Sequence, residues 1–243
     1  MSTPERHEIP QADVTKTLWR KYRKTPEYRS GRRYSISSVH PLVRAGEEQG
    51  LSDVILEFAR ELERPTDIRT RLTTRRERDW LDHWCHMHTV LFHHVYRQSG
   101  ELRPRGYDVR FGAPGDEELH HIPCGGAEVY NELYALANYL CNSLGFVATD
   151  NLDEVCRFLA RFHYNFIRIH PFFDGNGRIA RVITDQLSVA LGYIPIIAGF
   201  PRSNAAKKRV YHAAIRASAT DPAYTELTNW IKTQLETKLA EIA

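Results

Sequence analysis

Long hydrophobic runs are missing from this chain. No stretch of about 18 apolar residues occurs anywhere in its 243 residues, which excludes a membrane-spanning helix. Residues Met1 to Pro10 are polar and hold no apolar core, so no secretory leader is expected. Cysteine is sparse. Cys85, Cys124, Cys141 and Cys156 form no C-x-x-C pair and have no matching histidine spacing, which argues against a disulfide framework or a zinc module and for reduced thiols in a cytoplasmic protein. Excess charge of one sign is also missing: 33 basic against 30 acidic residues leave +3, too balanced to point to a nucleic-acid binder. There is no G-x-x-x-x-G-K-[ST] loop, no H-E-x-x-H and no internal repeat.

What is present is a helical pattern. With 42% hydrophobic residues the chain can build a core. Leu51, Val54, Ile55, Phe58 and Leu62 recur at helical spacing, and Arg76 to Gln98 carries Trp80, Trp84, Met87, Leu91 and Val95 on one stripe. The histidines of that second segment, His83, His86, His88, His93 and His94, lack accompanying carboxylates and read as packed or surface side chains. Two short β-like pieces, Tyr107 to Phe111 and Leu119 to Ile122, flank Gly112-Ala113-Pro114-Gly115-Asp116 and predict a hairpin. Glu128 to Leu144 reads as helix again, with Gly145 as a stop. Next, Asp150 is a candidate N-cap for a helix whose apolar face is Leu152, Val155, Leu159, Phe162, Phe166 and Ile169. Pro171 ends that helix, because the residue before a proline is pushed out of the helical region. Further helices are expected over Arg178 to Leu191, Ser203 to Ala219 and from Pro222 onward. The fold class is mainly α with one small β-hairpin. Residues 1–70 are expected to be a basic, helical extension, and 71–243 the catalytic core.

A basic stretch from Lys16 to Arg33, with Trp19, Tyr22 and Tyr28 between its charges, reads as a solvated arm or a surface for RNA or a protein partner.

The chemistry concentrates in His170-Pro171-Phe172-Phe173-Asp174-Gly175-Asn176-Gly177-Arg178-Ile179-Ala180-Arg181. A helix that opens at Gly175-Asn176-Gly177 points unsatisfied backbone N–H groups and the positive end of its dipole outward, and glycine lets phosphate oxygens come close. Arg178 and Arg181 are three apart and share one face, so both guanidinium groups reach one polyphosphate. Asp174 would repel bare phosphate, and its presence makes sense as a Mg²⁺ ligand. His170 is placed to take a proton near neutral pH. Phe172 reads as an anchor that buries the turn.

This stretch matches, without a departure, the H-P-F-x-[DE]-G-N-G-R-x-x-R signature of the Fic family. Eight fixed positions coincide by chance in such a chain with a probability on the order of 10⁻⁸. The resemblance extends over Arg75 to Trp230: Leu91 to Arg103 looks like the helix leading to the family's flap, Tyr107 to Ile122 like the flap, and His163 and Tyr211 fall where members carry such residues. It implies a Fic-type helical bundle and a protein adenylyltransferase that moves AMP from ATP to a Ser, Thr or Tyr hydroxyl of a target protein. In that reading His170 is the general base, Asp174 holds Mg²⁺, Gly175, Asn176 and Gly177 form the anion hole, and Arg178 and Arg181 grip phosphate. Tyr107, Asp108, Val109 and Arg110 would meet the target as part of an added strand. Transfer of another nucleotidyl or phosphoryl group, removal of AMP, or a non-catalytic partner-binding role are the alternatives.

Many members carry a restraining [ST]-x-x-x-E-[GN] helix whose glutamate pairs with the second arginine, here Arg181. No complete copy occurs: the nearest spacings are Thr73 to Glu77 and Thr237 to Glu241. That glutamate is expected from a separate antitoxin-like inhibitory protein, the favoured source, or from Glu241 of the last helix in a degenerate motif.

Overall fold

The computed structural model describes residues 49–50, 52–54, 56–57, 60, 67–93, 99–103, 125, 127–172, 175–196 and 205–242. Seven α-helices are defined there: α1 (Ile68–Thr73), α2 (Glu77–Phe92), α3 (Val129–Ser143), α4 (Leu152–Ile169), α5 (Asn176–Ala190), α6 (Ala205–Ala217) and α7 (Thr225–Ile242). A 3₁₀ turn, Leu144–Phe146, follows α3. Described positions between 49 and 60 are helical as expected, with Val54 fully buried. Among the described residues there is no strand, in keeping with the mainly α class. The expected hairpin with Tyr107, Asp108, Val109 and Arg110, and the basic arm from Lys16 to Arg33, lie outside them.

The bundle is organised around α4, which packs on α7, α5 and α3. Its stripe of Val155, Leu159, Phe162, Phe166 and Ile169 is at most 1% exposed. Trp84, from the stripe of α2, meets Phe166 edge-on with ring centroids 5.5 Å apart. Burying each such side chain contributes roughly 1.5–3 kcal/mol. Helix α7 closes the other side with Leu227, Ile231 and Leu235, all fully buried. Helices α4 and α5 run antiparallel: the Tyr193 hydroxyl, just past the end of α5, donates to the Thr149 carbonyl just before α4 (2.9 Å). That return brings the end of α4 and the start of α5 together across 170–175, where the motif lies.

Local signals explain most boundaries, with two corrections. The cap of α4 is Asn151, not Asp150: its backbone is extended and its Oδ1 accepts from the Glu154 N–H (3.2 Å), whereas Asp150 sits one residue too early, in a turn. The last helix begins at Thr225 rather than Pro222, because the Asp221 carboxylate accepts from the N–H groups of Ala223 and Thr225 and closes a turn there. Helix α1 carries no apolar period. It is started by Asp67, which accepts from Thr70 N–H (2.9 Å), and tied down by Arg69, which donates to the carbonyls of Gly145 and Val147. Thr73 and Glu77 fall on either side of the break between α1 and α2, so they share no helix face.

Candidate active site

Helix α4 ends in a left-handed residue. His170 has φ 51° and ψ 59°, a conformation that costs a non-glycine residue on the order of 1–2 kcal/mol. Its carbonyl and that of Ile169 accept from Arg103, at 2.7 Å from Nε and 3.1 Å from Nη2, and the Arg103 N–H donates to the Pro171 carbonyl (2.8 Å). The chain then dives inward. Phe172 is fully buried and stacks on His88, with centroids 4.0 Å apart and planes 20° from parallel. His88 in turn accepts from the Gly100 N–H (2.8 Å). Phe172 is thus the anchor expected of it.

Asn176 closes the turn from the other side. Its Oδ1 accepts from the Phe172 N–H and its Nδ2 donates to the Phe172 carbonyl, each at 2.8 Å, and the side chain is buried. Spacing assigned Asn176 only to the anion hole; the amide side chain also staples the loop. Gly175 has φ 77°, and a Cβ there would lie 1.9 Å from Phe92 Cε2, so both conformation and space require glycine. The same Phe92 ring carries the Arg178 guanidinium 4.5 Å above its centroid. Among the described residues no side chain caps α5, and its first turn contains no acid.

Arg181 folds back along α5 toward its start, as helical side chains do. A Cβ on Gly177 would lie 3.4 Å from its Nη1. Behind Arg181 lies a buried polar chain joining three helices. The Arg181 guanidinium lies near enough to the Tyr211 phenol of α6 to draw its pKa down. The Tyr211 oxygen is 2.6 Å from Nε2 of His163 on α4, and His163 Nδ1 is 2.9 Å from Thr184 Oγ1 on α5. Thr184 donates to the Ala180 carbonyl (2.7 Å), so its oxygen accepts from His163 Nδ1–H, and Nε2 accepts from Tyr211. Burial, and then the Arg181 charge, push the His163 pKa down to about 3, which keeps the imidazole neutral. Burial raises the Tyr211 pKa while Arg181 pulls it back. On the outer side of α6, His212 is held below its ordinary value by burial and then by Arg181, Arg216 and Lys208, a sign of positive charge gathered at this end of the site.

The geometry therefore brings His170, Gly175, Asn176, Gly177, Arg178 and Arg181 to one place. Asp174 and Phe173 lie outside the described residues, as does the segment with Tyr107 to Arg110. Among the described residues no group of three or more His, Cys, Asp or Glu side chains is placed to share a metal ion, and no helix is long and apolar enough to cross a membrane. Phe92 and Arg103 fall in the Leu91 to Arg103 stretch that resembles the family's helix before the flap, and His88 among the packed or surface histidines, but nothing local gives any of the three its supporting task.

Comparison with known proteins agrees with this picture. Residues 79–188 match the model of the Fic/DOC family. The chain is 46% identical over 77 residues to a protein adenylyltransferase Fic of Culex quinquefasciatus, covering 32% of this chain and 14% of the relative. A second, from Drosophila willistoni, is 40% identical over 92 residues, covering 38% and 17%. The match thus spans only a small part of those relatives' length. Among solved structures, the N-terminal FIC domain of Bep8 from Bartonella sp. 1-1C superposes with a TM-score of 0.60 at 16% identity, covering 84% of this chain and 87% of that one. BepC of Bartonella tribocorum, solved with bound AMPPNP, gives 0.55 at 18% identity, covering 79% and 86%. Such low identities speak for the fold. Residues 79–188, which hold the complete motif, are thus the part of this chain that matches the Fic/DOC family.

Proposed function

We propose that this protein transfers AMP from ATP to a Ser, Thr or Tyr hydroxyl of a target protein. The observation that carries this reading is the start of α5, which among the described residues has neither a capping side chain nor an acid, opens on Gly175, and lies one short turn from His170. Backbone N–H groups at a helix start and the positive end of its dipole suit an external anion. The curated relatives are named protein adenylyltransferases and BepC holds an ATP analogue, which supports the same reading.

In the reaction the target's hydroxyl oxygen attacks the α-phosphorus and His170 accepts its proton. The bond from the α-phosphorus to the bridging oxygen breaks, diphosphate leaves, and AMP remains on the target. A positioned base of this kind is worth about 10²–10⁴-fold. The backbone at Gly175, Asn176 and Gly177 receives phosphate oxygens, Arg178 grips phosphate from its seat on Phe92, and Arg181, braced by Tyr211, meets the γ-phosphate. Asp174, with phosphate oxygens and water, would hold Mg²⁺, a donor set the ion accepts. Bound there, it would neutralise charge between the phosphates. Tyr107 to Arg110 would align an extended target segment. Because Thr73 and Glu77 are split between two helices, a separate inhibitory chain is the better source of a glutamate for Arg181.

Incubating the protein and a target-containing lysate with ATP labelled on the α- or the γ-phosphate tests the reading. Label from the α-position alone is expected. Label from the γ-position alone would replace adenylyl transfer with phosphorylation.

A further inference from the structure

We propose that Arg103 is a positioning residue for His170: it holds the base's backbone in the left-handed conformation. The inference rests on His170 acting as the general base. Arg103 is only 2% exposed, an unusual place for a guanidinium, and three of its hydrogen bonds run to one short stretch. Nε donates to the carbonyl of His170 at 2.7 Å, Nη2 to that of Ile169 at 3.1 Å, and its own N–H to that of Pro171 at 2.8 Å. Three consecutive carbonyls of the catalytic turn are thus fixed by one residue 67 positions away in sequence.

The physics favours arginine specifically. The last carbonyls of a helix have no partner within it and form the negative end of its dipole, so a buried cation there is stabilised. Pro171 blocks any continuation of the helix, which leaves His170 to turn in the αL region. A planar fork reaches two adjacent carbonyls at once, which the single ammonium of lysine does not reproduce. Fixing the peptide on the C-terminal side of His170 fixes the direction in which its Cα–Cβ bond leaves the chain, and hence where the imidazole stands. Phosphate binding depends instead on the start of α5, whose turn is held by Asn176 and Phe92. These three Arg103 bonds therefore bear on proton transfer rather than on nucleotide affinity.

The test compares wild type with Arg103→Lys and Arg103→Met, both in the full chain. Single-turnover α-label transfer is expected to fall about 10- to 100-fold, the size of effect that a small misplacement of a reacting group produces, while KM for ATP stays within about twofold. Lysine should recover part of the loss that methionine causes. Histidine-selective NMR, with His170→Gln and His163→Gln to assign the signals, should show the His170 signal displaced and the His163 signal in place. Should Arg103→Met fail to fold, Arg103→Lys carries the test. Unchanged transfer, an equal loss in ATP affinity, or an undisturbed His170 signal overturns the proposal. If the wild type transfers no α-label, the function reading fails, and the NMR arm still decides whether Arg103 holds His170.

Discussion

Two helices of this protein begin in opposite ways. At α4, Asn151 caps the first turn with its side chain, and Asp153 and Glu154 lay negative charge on the positive end of the dipole. At α5, antiparallel to it in the same core, no side chain among the described residues caps the start, the first turn holds no acid, Gly175 turns with positive φ, and Arg178 adds a cation. The first start is satisfied by its own cap, and the second, in the proposed function, receives phosphate. Placing both in one packed pair teaches that the uncapped start is not poor helix design, since the same fold supplies a complete cap where structure alone is required.

The sharpest way to break the contrast is to give α5 what α4 has. Gly177→Asp places an acid in the first turn of α5, beside the Arg181 guanidinium. Calorimetric titration should show ATP affinity reduced about 100-fold, or about 2.7 kcal/mol, because like charges facing each other in a binding site cost several kcal/mol. Affinity within twofold of wild type would mean that phosphate does not sit there.

The chain of hydrogen bonds behind Arg181 gives the next effects. Tyr211→Phe removes the phenol that Arg181 and His163 share. ATP affinity should fall about tenfold through a looser Arg181, together with roughly 1 kcal/mol of stability; loss of stability alone would make Tyr211 a packing residue. The same network sets a pH signature. His163 has its folded pKa at about 3 against 6.5 when exposed, so its contribution to stability is complete above pH 6.5 and is lost as pH falls toward 3. Denaturant melts between pH 6 and 4 should show a decline of up to about 1.4 kcal/mol per pH unit from this group, absent in His163→Gln. His83, which burial and then Arg75 also hold at about 3, keeps its own share of the decline in both proteins.

The smallest effect belongs to the satisfied start. Asn151→Ala should cost about 1 kcal/mol in thermal or denaturant melts and leave α-label transfer unchanged. A fall in transfer rate larger than the loss of folded protein would blur the distinction between the two starts.

These contrasts also show what the sequence makes legible. The site motif is linear, so its residues and their approximate tasks can be read along the chain, and the stripe of α4 is clear because five apolar positions repeat at helical spacing before Pro171 stops them. The support beneath the site is not legible in the same way. Arg103 reaches His170 across 67 positions, Phe92 meets Gly175 across 83, and no local pattern marks either pairing. The Asn176 side chain was hidden for a different reason: its backbone role in the motif explains its presence fully, so nothing prompts a second use. Helix α1 escaped because its stability comes from Asp67 and Arg69 rather than from an apolar face.

The central claim is that one end of the turn holds nucleotide and the other moves the proton. His170→Ala, measured for ATP affinity and for single-turnover α-label transfer in the same preparation, tests it most directly. Affinity is expected to stay within about twofold while transfer falls about 10²–10⁴-fold. Transfer at the wild-type rate with bound ATP would contradict the account.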